Sequence, residues 1–321
     1  MTSTMVMSYP GNTAREERAS TPSVIATRGL TKKYGDRYAV RDLTIAIPTG
    51  VVAGFVGPNG AGKTTTIRML LGLVRPSGGS AEVLGTSIGH PTSYLPRVGA
   101  LIESPAFYPA LSGRANLQVL CSLGGFSKDR IPRLIETVGL TGRDREKVRG
   151  YSLGMKQRLG VAAALLPDPD LLILDEPSNG LDPPGIIEMR DLLRGLRDQG
   201  KTVFVSSHLL GEIQQVADWL VVLKEGESIY SGTTANIFAA RGSSFFVAPE
   251  RPDQLEVVAR IVQSSGHTVA PKDDGLMVGA PQEFRAELSR DCVKASITLI
   301  EIRPTTESLE ETFLAMIEGD K

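Results

Sequence analysis

Residues 57–65 read GPNGAGKTT, and every specified position of G-x-x-x-x-G-K-[ST] is filled between Gly57 and Thr64. This spacing serves phosphate binding. Gly57, Gly60 and Gly62 let the backbone turn tightly so that its N–H groups converge on phosphate oxygens. Pro58, Asn59, Ala61 and Thr65 complete the loop. A helix beginning here aims its positive dipole end at the same anion. Lys63 would reach the β- and γ-phosphates of a nucleotide, and the Thr64 hydroxyl would ligate magnesium. A glycine-rich turn matching by accident needs no particular flanks. Here VVAGFV before the loop reads as a strand and KTTTIRMLLGL after it as a helix, as the chemistry requires.

A second set of groups follows in LLILDEP (171–177), an apolar run that delivers two adjacent carboxylates. Asp175 would hold magnesium directly or through water, and Glu176 is the candidate base that polarises an attacking water. Two adjacent carboxylates could instead be an exposed strand end, an alternative that the phosphate loop argues against. His208 ends VSSH (205–208); at the same sheet edge as Asp175 it would contact a γ-phosphate or orient the water. GALIESP (99–105) ends a strand-like run in a lone acid, Glu103, which read by itself is a solvated loop residue.

Positioning these groups requires a particular core. LTIAIP (43–48), VVAGFVG (51–57), AEVLG, DLLILDEP (170–177) and TVFVSSH (202–208) read as strands, with the helical pattern IIEMRDLLRGLRDQG between the last two. Strand, helix and strand in this order predict a parallel α/β sheet, whose ligands gather at the carboxyl ends of the strands. After Gly232 the pattern changes. SSFFVAP reads as a strand, RPDQLEVVARIVQSSG as a helix and HTVAPKDDGLMVGA as a hairpin turning at Asp273–Asp274–Gly275. PQEFRAELSRD reads as a helix, SITLIEIRP as a strand and TESLEETFLAMIEG as a final helix capped by Thr306 or Ser308. The order β-α-β-β-α-β predicts a small ferredoxin-like α+β domain.

The 321 residues suggest about two domains. With 35 basic and 36 acidic side chains, the chain has no global electrostatic pull toward nucleic acid or anionic lipid. Cys121 and Cys292 lie far apart, and His90, His208 and His267 are dispersed, so a zinc site is not expected. The first 23 residues are rich in Ser, Thr, Pro and charge and read as a disordered leader. No apolar run reaches the roughly 18 residues that span a bilayer. A membrane process would need another polypeptide for its membrane part, and the cysteine usage fits a cytoplasmic setting.

In this order the motifs resemble the nucleotide-binding subunit of ABC transporters, over about residues 24 to 232. The family's signature segment, usually written LSGGQ, stands here as YSLGM (151–155), in which Ser152 and Gly154 match and Tyr151, Leu153 and Met155 depart. Its work is to present a serine hydroxyl and backbone N–H groups at a helix N-terminus to a γ-phosphate, and the two matching residues keep that capacity. Tyr34 sits where an aromatic stacks on adenine. SNGLDP (178–183) resembles the D-loop, with Asp182 at its acidic position, and His208 resembles the H-loop histidine. VGALIE (98–103) occupies the segment that ends in the Q-loop glutamine, so Glu103 stands where an amide oxygen touches magnesium or the attacking water and where the loop meets the membrane partner. A carboxylate keeps the oxygen ligand and loses the amide donor.

The resemblance implies a P-loop ABC cassette over 24–235, a C-terminal regulatory or dimerisation domain over 240–321, and ATP with Mg²⁺ as cofactors. It also implies head-to-tail pairing with a second copy or a paralogous cassette, ATP hydrolysis, and separate multi-span permease subunits that hold the chain at the inner face of the membrane. GALIESPAFYPALSGRANL and YSLGMKQRLGVAAALL look most like bacterial drug and peptide-antibiotic exporters of the bacitracin-resistance, lantibiotic-immunity and daunorubicin groups. A soluble ABC ATPase acting on ribosomes or DNA is the alternative, although two cassettes in one chain, coiled-coil insertions and basic extensions are not visible. A P-loop kinase would have no use for the signature and D-loop segments.

Overall fold

The computed structural model describes residues 23–103, 106–239 and 244–304. In chain order it opens with β1 (Ser23–Tyr34), β2 (Arg37–Leu43), β3 (Ala46–Pro48), β4 (Val52–Val56), α1 (Lys63–Leu70), β5 (Gly78–Val83), β6 (Thr86–Ser87) and β7 (Val98–Leu101). Three helices follow, α2 (Gly113–Gly124), α3 (Ile131–Thr137) and α4 (Leu153–Ala164), before β8 (Leu171–Asp175), α5 (Pro183–Asp198), β9 (Thr202–Ser207), α6 (Leu210–Gln214), β10 (Trp219–Lys224), β11 (Glu227–Thr233) and α7 (Thr234–Ala239). Packing divides the chain between Ser231 and Gly232 into two compact units.

The core of the first unit is a six-stranded sheet in the order β11-β10-β4-β9-β8-β7. The pairs β10–β4, β4–β9, β9–β8 and β8–β7 are parallel. Every residue of β4, β8 and β9 is buried, which explains why these strands read as unbroken apolar runs: a parallel sheet covered on both faces has no solvent side to alternate toward. The Phe55 and Phe204 rings meet at 4.9 Å on adjacent strands. Truncating either to alanine would cost about 3–5 kcal/mol through lost burial and a residual cavity.

A second, antiparallel sheet runs β2-β1-β5-β6, with β3 also on β1. Here the strand expected over 43–48 is broken, because β2 ends at Leu43 and β3 begins at Ala46. The cause is Thr27, whose buried hydroxyl donates to the Leu43 carbonyl (2.7 Å) and accepts the Ile45 N–H (3.0 Å). A side chain thus supplies the bonds that a continuous ladder would have made.

The second unit contains β12 (Ser244–Pro249), α8 (Leu255–Ser264), β13 (Thr268–Lys272), β14 (Gly275–Gly279), α9 (Phe284–Lys294) and β15 (Leu299–Pro304). Its sheet order is β13-β14-β12-β15, with every neighbouring pair antiparallel. That is the ferredoxin-like arrangement expected from the sequence. Phe245 and Val247 pack with Val258, Val262, Val278 and Leu288 in its core. The hairpin closes with Lys272 opposite Gly275, and Asp273 takes positive φ (49°), a conformation that Asp tolerates in tight turns. The leader and the final helix over TESLEETFLAMIEG lie outside the described residues.

Candidate active site

Strand register assembles the site. Val56 of β4 pairs with Ser207 of β9, and Ser206 pairs with Asp175 of β8. Gly57, Glu176 and His208, each the residue that follows its strand, therefore emerge side by side at the carboxyl edge of the sheet. The phosphate loop turns from β4 into α1, whose N-cap is Gly62 at φ 102°. A Cβ at Gly62 would lie 2.3 Å from the Ala39 carbonyl oxygen, so both the conformation and the close approach require glycine.

Lys63 is 6% exposed, yet all three of its ammonium donors are used. Its Nζ donates to the carbonyls of Gly57 (2.7 Å) and Pro58 (3.3 Å) and lies 3.2 Å from Glu176 Oε1. The other Glu176 oxygen, Oε2, is 2.8 Å from His208 Nδ1 and accepts the His208 backbone N–H at 3.3 Å. Lysine, candidate base and histidine thus form one connected set. Glu176 holds φ at 50°, a left-handed conformation that costs a non-glycine residue on the order of 1–3 kcal/mol and collects at functional sites.

Behind this set, the Thr64 hydroxyl donates to Asp175 Oδ2 at 2.8 Å, and the Ser206 hydroxyl donates to Asp175 Oδ1. Asp175 is itself buried. Thr64 and Asp175 offer only hard oxygen donors, the chemistry that suits Mg²⁺. A group with a displaced titration that interacts with His208 and Glu176 is Glu212 on α6. Burial raises its carboxyl above the usual carboxylate range, while His208 and Arg190 pull it back.

Tyr34, Arg37, Asn59, Gly60 and Gly62 line one side of a cleft of about 590 Å³, and Lys63, Thr64, Thr65, Glu176, Asn179 and His208 line the rest. That volume lies within the range of small-molecule sites. Tyr34 is 52% exposed at the end of β1, with the Lys32 ammonium 4.9 Å from its ring centroid. Ala61 is buried behind the loop and donates its N–H to the Pro58 carbonyl. No motif in the sequence points to Arg37, Asn179 or Ser206. Only Ser206 carries a signal, as one of two serines that follow the apolar run Val203–Val205 ahead of His208.

Ser152, Gly154, Asp182 and Glu103 do not line this cleft. Ser152 N-caps α4, its Oγ accepting the Met155 N–H at 3.2 Å. Asp182 N-caps α5, its Oδ1 accepting the Gly185 N–H at 3.2 Å. These two helix starts are neighbours, since the Leu153 side chain lies against Gly180. The departure at Tyr151 is structural: the ring is buried beside Gly113, and its hydroxyl donates to the Arg143 carbonyl at 2.8 Å. Burial, reinforced by Asp144 and Glu146, raises the titration of that hydroxyl, so it remains a donor at neutral pH. Glu103 takes φ 62° and pairs with Arg68 on α1, one turn beyond Thr64.

The sequence pattern of the family described as ABC transporter matches residues 40–179, which include the phosphate loop, the signature and Asp175–Glu176. The bacitracin transport ATP-binding protein BcrA of Enterococcus faecalis is 38% identical over 303 residues, covering 92% of this chain and 97% of that relative. The chain belongs to the ABC transporter ATP-binding proteins. The lantibiotic transport ATP-binding protein SrtF of Streptococcus pyogenes is 40% identical over 206 residues, 64% of this chain and 89% of that relative. Among solved structures, cbiO1 from Clostridium perfringens, part of the ABC transporter complex cbiONQ, superposes with a TM-score of 0.62 at 25% identity. That superposition covers 68% of this chain and 91% of cbiO1. As a member of this family the chain binds and hydrolyses ATP, and such subunits act in pairs with membrane permeases. The relatives named here carry transport names, and nothing among them favours the ribosome or DNA alternative.

Proposed function

We propose that two copies of this chain, or one copy and a paralogous cassette, close head to tail on Mg²⁺-bound ATP at the inner face of the membrane and drive export of a peptide antibiotic of the bacitracin kind through separate permease subunits. The full-length likeness to BcrA carries this reading. That match covers 92% of the chain and so extends beyond Met1–Ser231 into the second unit. The SrtF match covers only 64%.

In this mechanism Tyr34 stacks on the adenine, while Lys63 and the loop amides hold the phosphates. Thr64 and Asp175 would hold the metal, which would supply charge neutralisation on the phosphate oxygens. Glu176 Oε2 takes a proton from the attacking water, and His208 orients the carboxylate through its Nδ1 contact. Ser152, with the first-turn amides of α4, completes the partner's site. Leu153, packed against Gly180, links the two helix starts, Asp182 caps the second of them, and Glu103 reports metal occupancy to the permease. The C-terminal unit stabilises the pair.

Deleting the chain from its host should raise sensitivity to bacitracin, with rescue by the wild type and none by Glu176→Gln. Unchanged sensitivity would remove the cargo assignment. Recovery of ribosomes in place of a multi-span membrane protein with the purified chain would remove the transport reading itself.

A further inference from the structure

We infer that Ser206 is a positioning residue that joins the metal-holding carboxylate and the base into a single unit. It is fully buried in β9, in register with Asp175. Its one hydroxyl is used in both senses. The proton goes to Asp175 Oδ1, and the oxygen accepts the backbone N–H of Glu176 at 2.9 Å. A fully buried hydroxyl between two strand ends cannot exchange these partners for water, so losing it leaves a buried acceptor and a buried donor without a bond.

The two bonds perform separate tasks. Asp175 has two hydroxyl donors, one on each oxygen: Thr64 on Oδ2 and Ser206 on Oδ1. Thr64 belongs to the nucleotide-binding loop, whereas Ser206 belongs to the sheet, so Ser206 anchors Asp175 independently of that loop. The second bond fixes the backbone of Glu176 where its φ is 50°. A left-handed residue between a strand and a loop needs its N–H held if the side chain is to keep one direction. That direction sets Oε1 against Lys63 at 3.2 Å and Oε2 against His208 at 2.8 Å. Ser206, fully buried and outside the cleft lining, therefore acts through Glu176 and Asp175. The inference rests on Glu176 being the base, and the test separates the two claims.

Ser206→Ala and Ser206→Cys are made in the full chain. Both keep the strand packing, and neither keeps a strong hydroxyl bond. The expected result is a kcat lower by roughly 10- to 100-fold with KM for MgATP within about threefold. Metal-free ATP affinity should be unchanged. Amide exchange at Glu176, read without metal or nucleotide, should be faster, a readout independent of turnover. In a Glu176→Gln background, adding Ser206→Ala should cost little further activity, because residues that act as one unit are not additive. Wild-type kcat with wild-type exchange at Glu176 in either folded variant would overturn the inference, as would a full additional loss in the double variant. If Glu176→Gln itself turned over at the wild-type rate, the fault would lie with the choice of base and not with Ser206.

Discussion

At the carboxyl edge of the central sheet, Thr64, Asp175, Ser206, Glu176 and His208 are joined by hydrogen bonds, and Lys63 joins them through its ion pair with Glu176. At the start of α4, Ser152 is exposed and caps its own helix through one bond to the Met155 N–H. The first-turn amides of a helix have no acceptor inside it. In the proposed mechanism both regions meet phosphate, and they differ in completeness. The first is organised by its own chain, while the second presents donors outward and does not line the cleft. On the proposed reading, a single subunit holds one finished half-site and one half-site that a partner completes. ATP would join them only by binding the closed pair better than the open one.

The largest effect should come from the finished half. Lys63→Ala removes a buried ammonium with three partners and leaves Glu176 without its cation, a loss of about 3–5 kcal/mol. ATP binding by the isolated subunit, measured by calorimetry, should weaken by at least about 100-fold. Ser152→Ala should leave that affinity intact and reduce turnover by roughly 10- to 100-fold, the value of a donor aimed at developing phosphate charge. Reduced ATP affinity in the monomer would put Ser152 in the wrong half.

The sequence carries most of the finished half-site because phosphate loops, paired carboxylates and their flanking strands are local patterns. Residues brought in by register carried little signal. Ser206 becomes meaningful only when β9 lies beside β8, and Arg37 and Asn179 only when β2, the phosphate loop and the segment after β8 meet around one cleft. Ser152 and Gly154 stand out in the sequence as matches to the signature segment, whereas the departure at Tyr151 is explained only by the Gly113 surface and the Arg143 carbonyl that hold it. The ferredoxin-like order was legible from alternation alone. The break between β2 and β3 was not, because it depends on Thr27 across the sheet. The partner of Glu103 was equally hidden, since Arg68 lies 35 residues away.

Two smaller effects sharpen the contrast. Glu103 is 66% exposed in its pair with Arg68, and such a pair contributes at most about 1 kcal/mol. Glu103→Gln should therefore change ATP affinity by less than about fivefold and alter the ratio of transport to hydrolysis in the assembled transporter. An unaltered ratio would return Glu103 to the solvated loop.

Asp168 lies apart from both half-sites and supports the fold alone. The hydrogen bond from Lys201, with the charges of Lys201 and Arg130, holds its carboxyl below the usual carboxylate range against the opposing effect of burial. Its stabilisation is present above the unfolded value of about 3.9 and disappears as pH falls through the lower folded value. Solvent screening at this 64% exposed side chain keeps the contribution below about 1 kcal/mol. Asp168→Asn should lower Tm by a few degrees at pH 7, with the gap closing at acid pH and turnover unchanged.

Sedimentation of Glu176→Gln, alone and combined with Ser152→Ala, tests the division into finished and waiting halves most directly. With MgATP the single variant should bind nucleotide, stall hydrolysis and sediment as a dimer, returning to monomer with ADP. The double variant should bind ATP equally well and remain mostly monomeric. A double variant that dimerises as tightly as the single one would contradict completion of each site by the partner's signature.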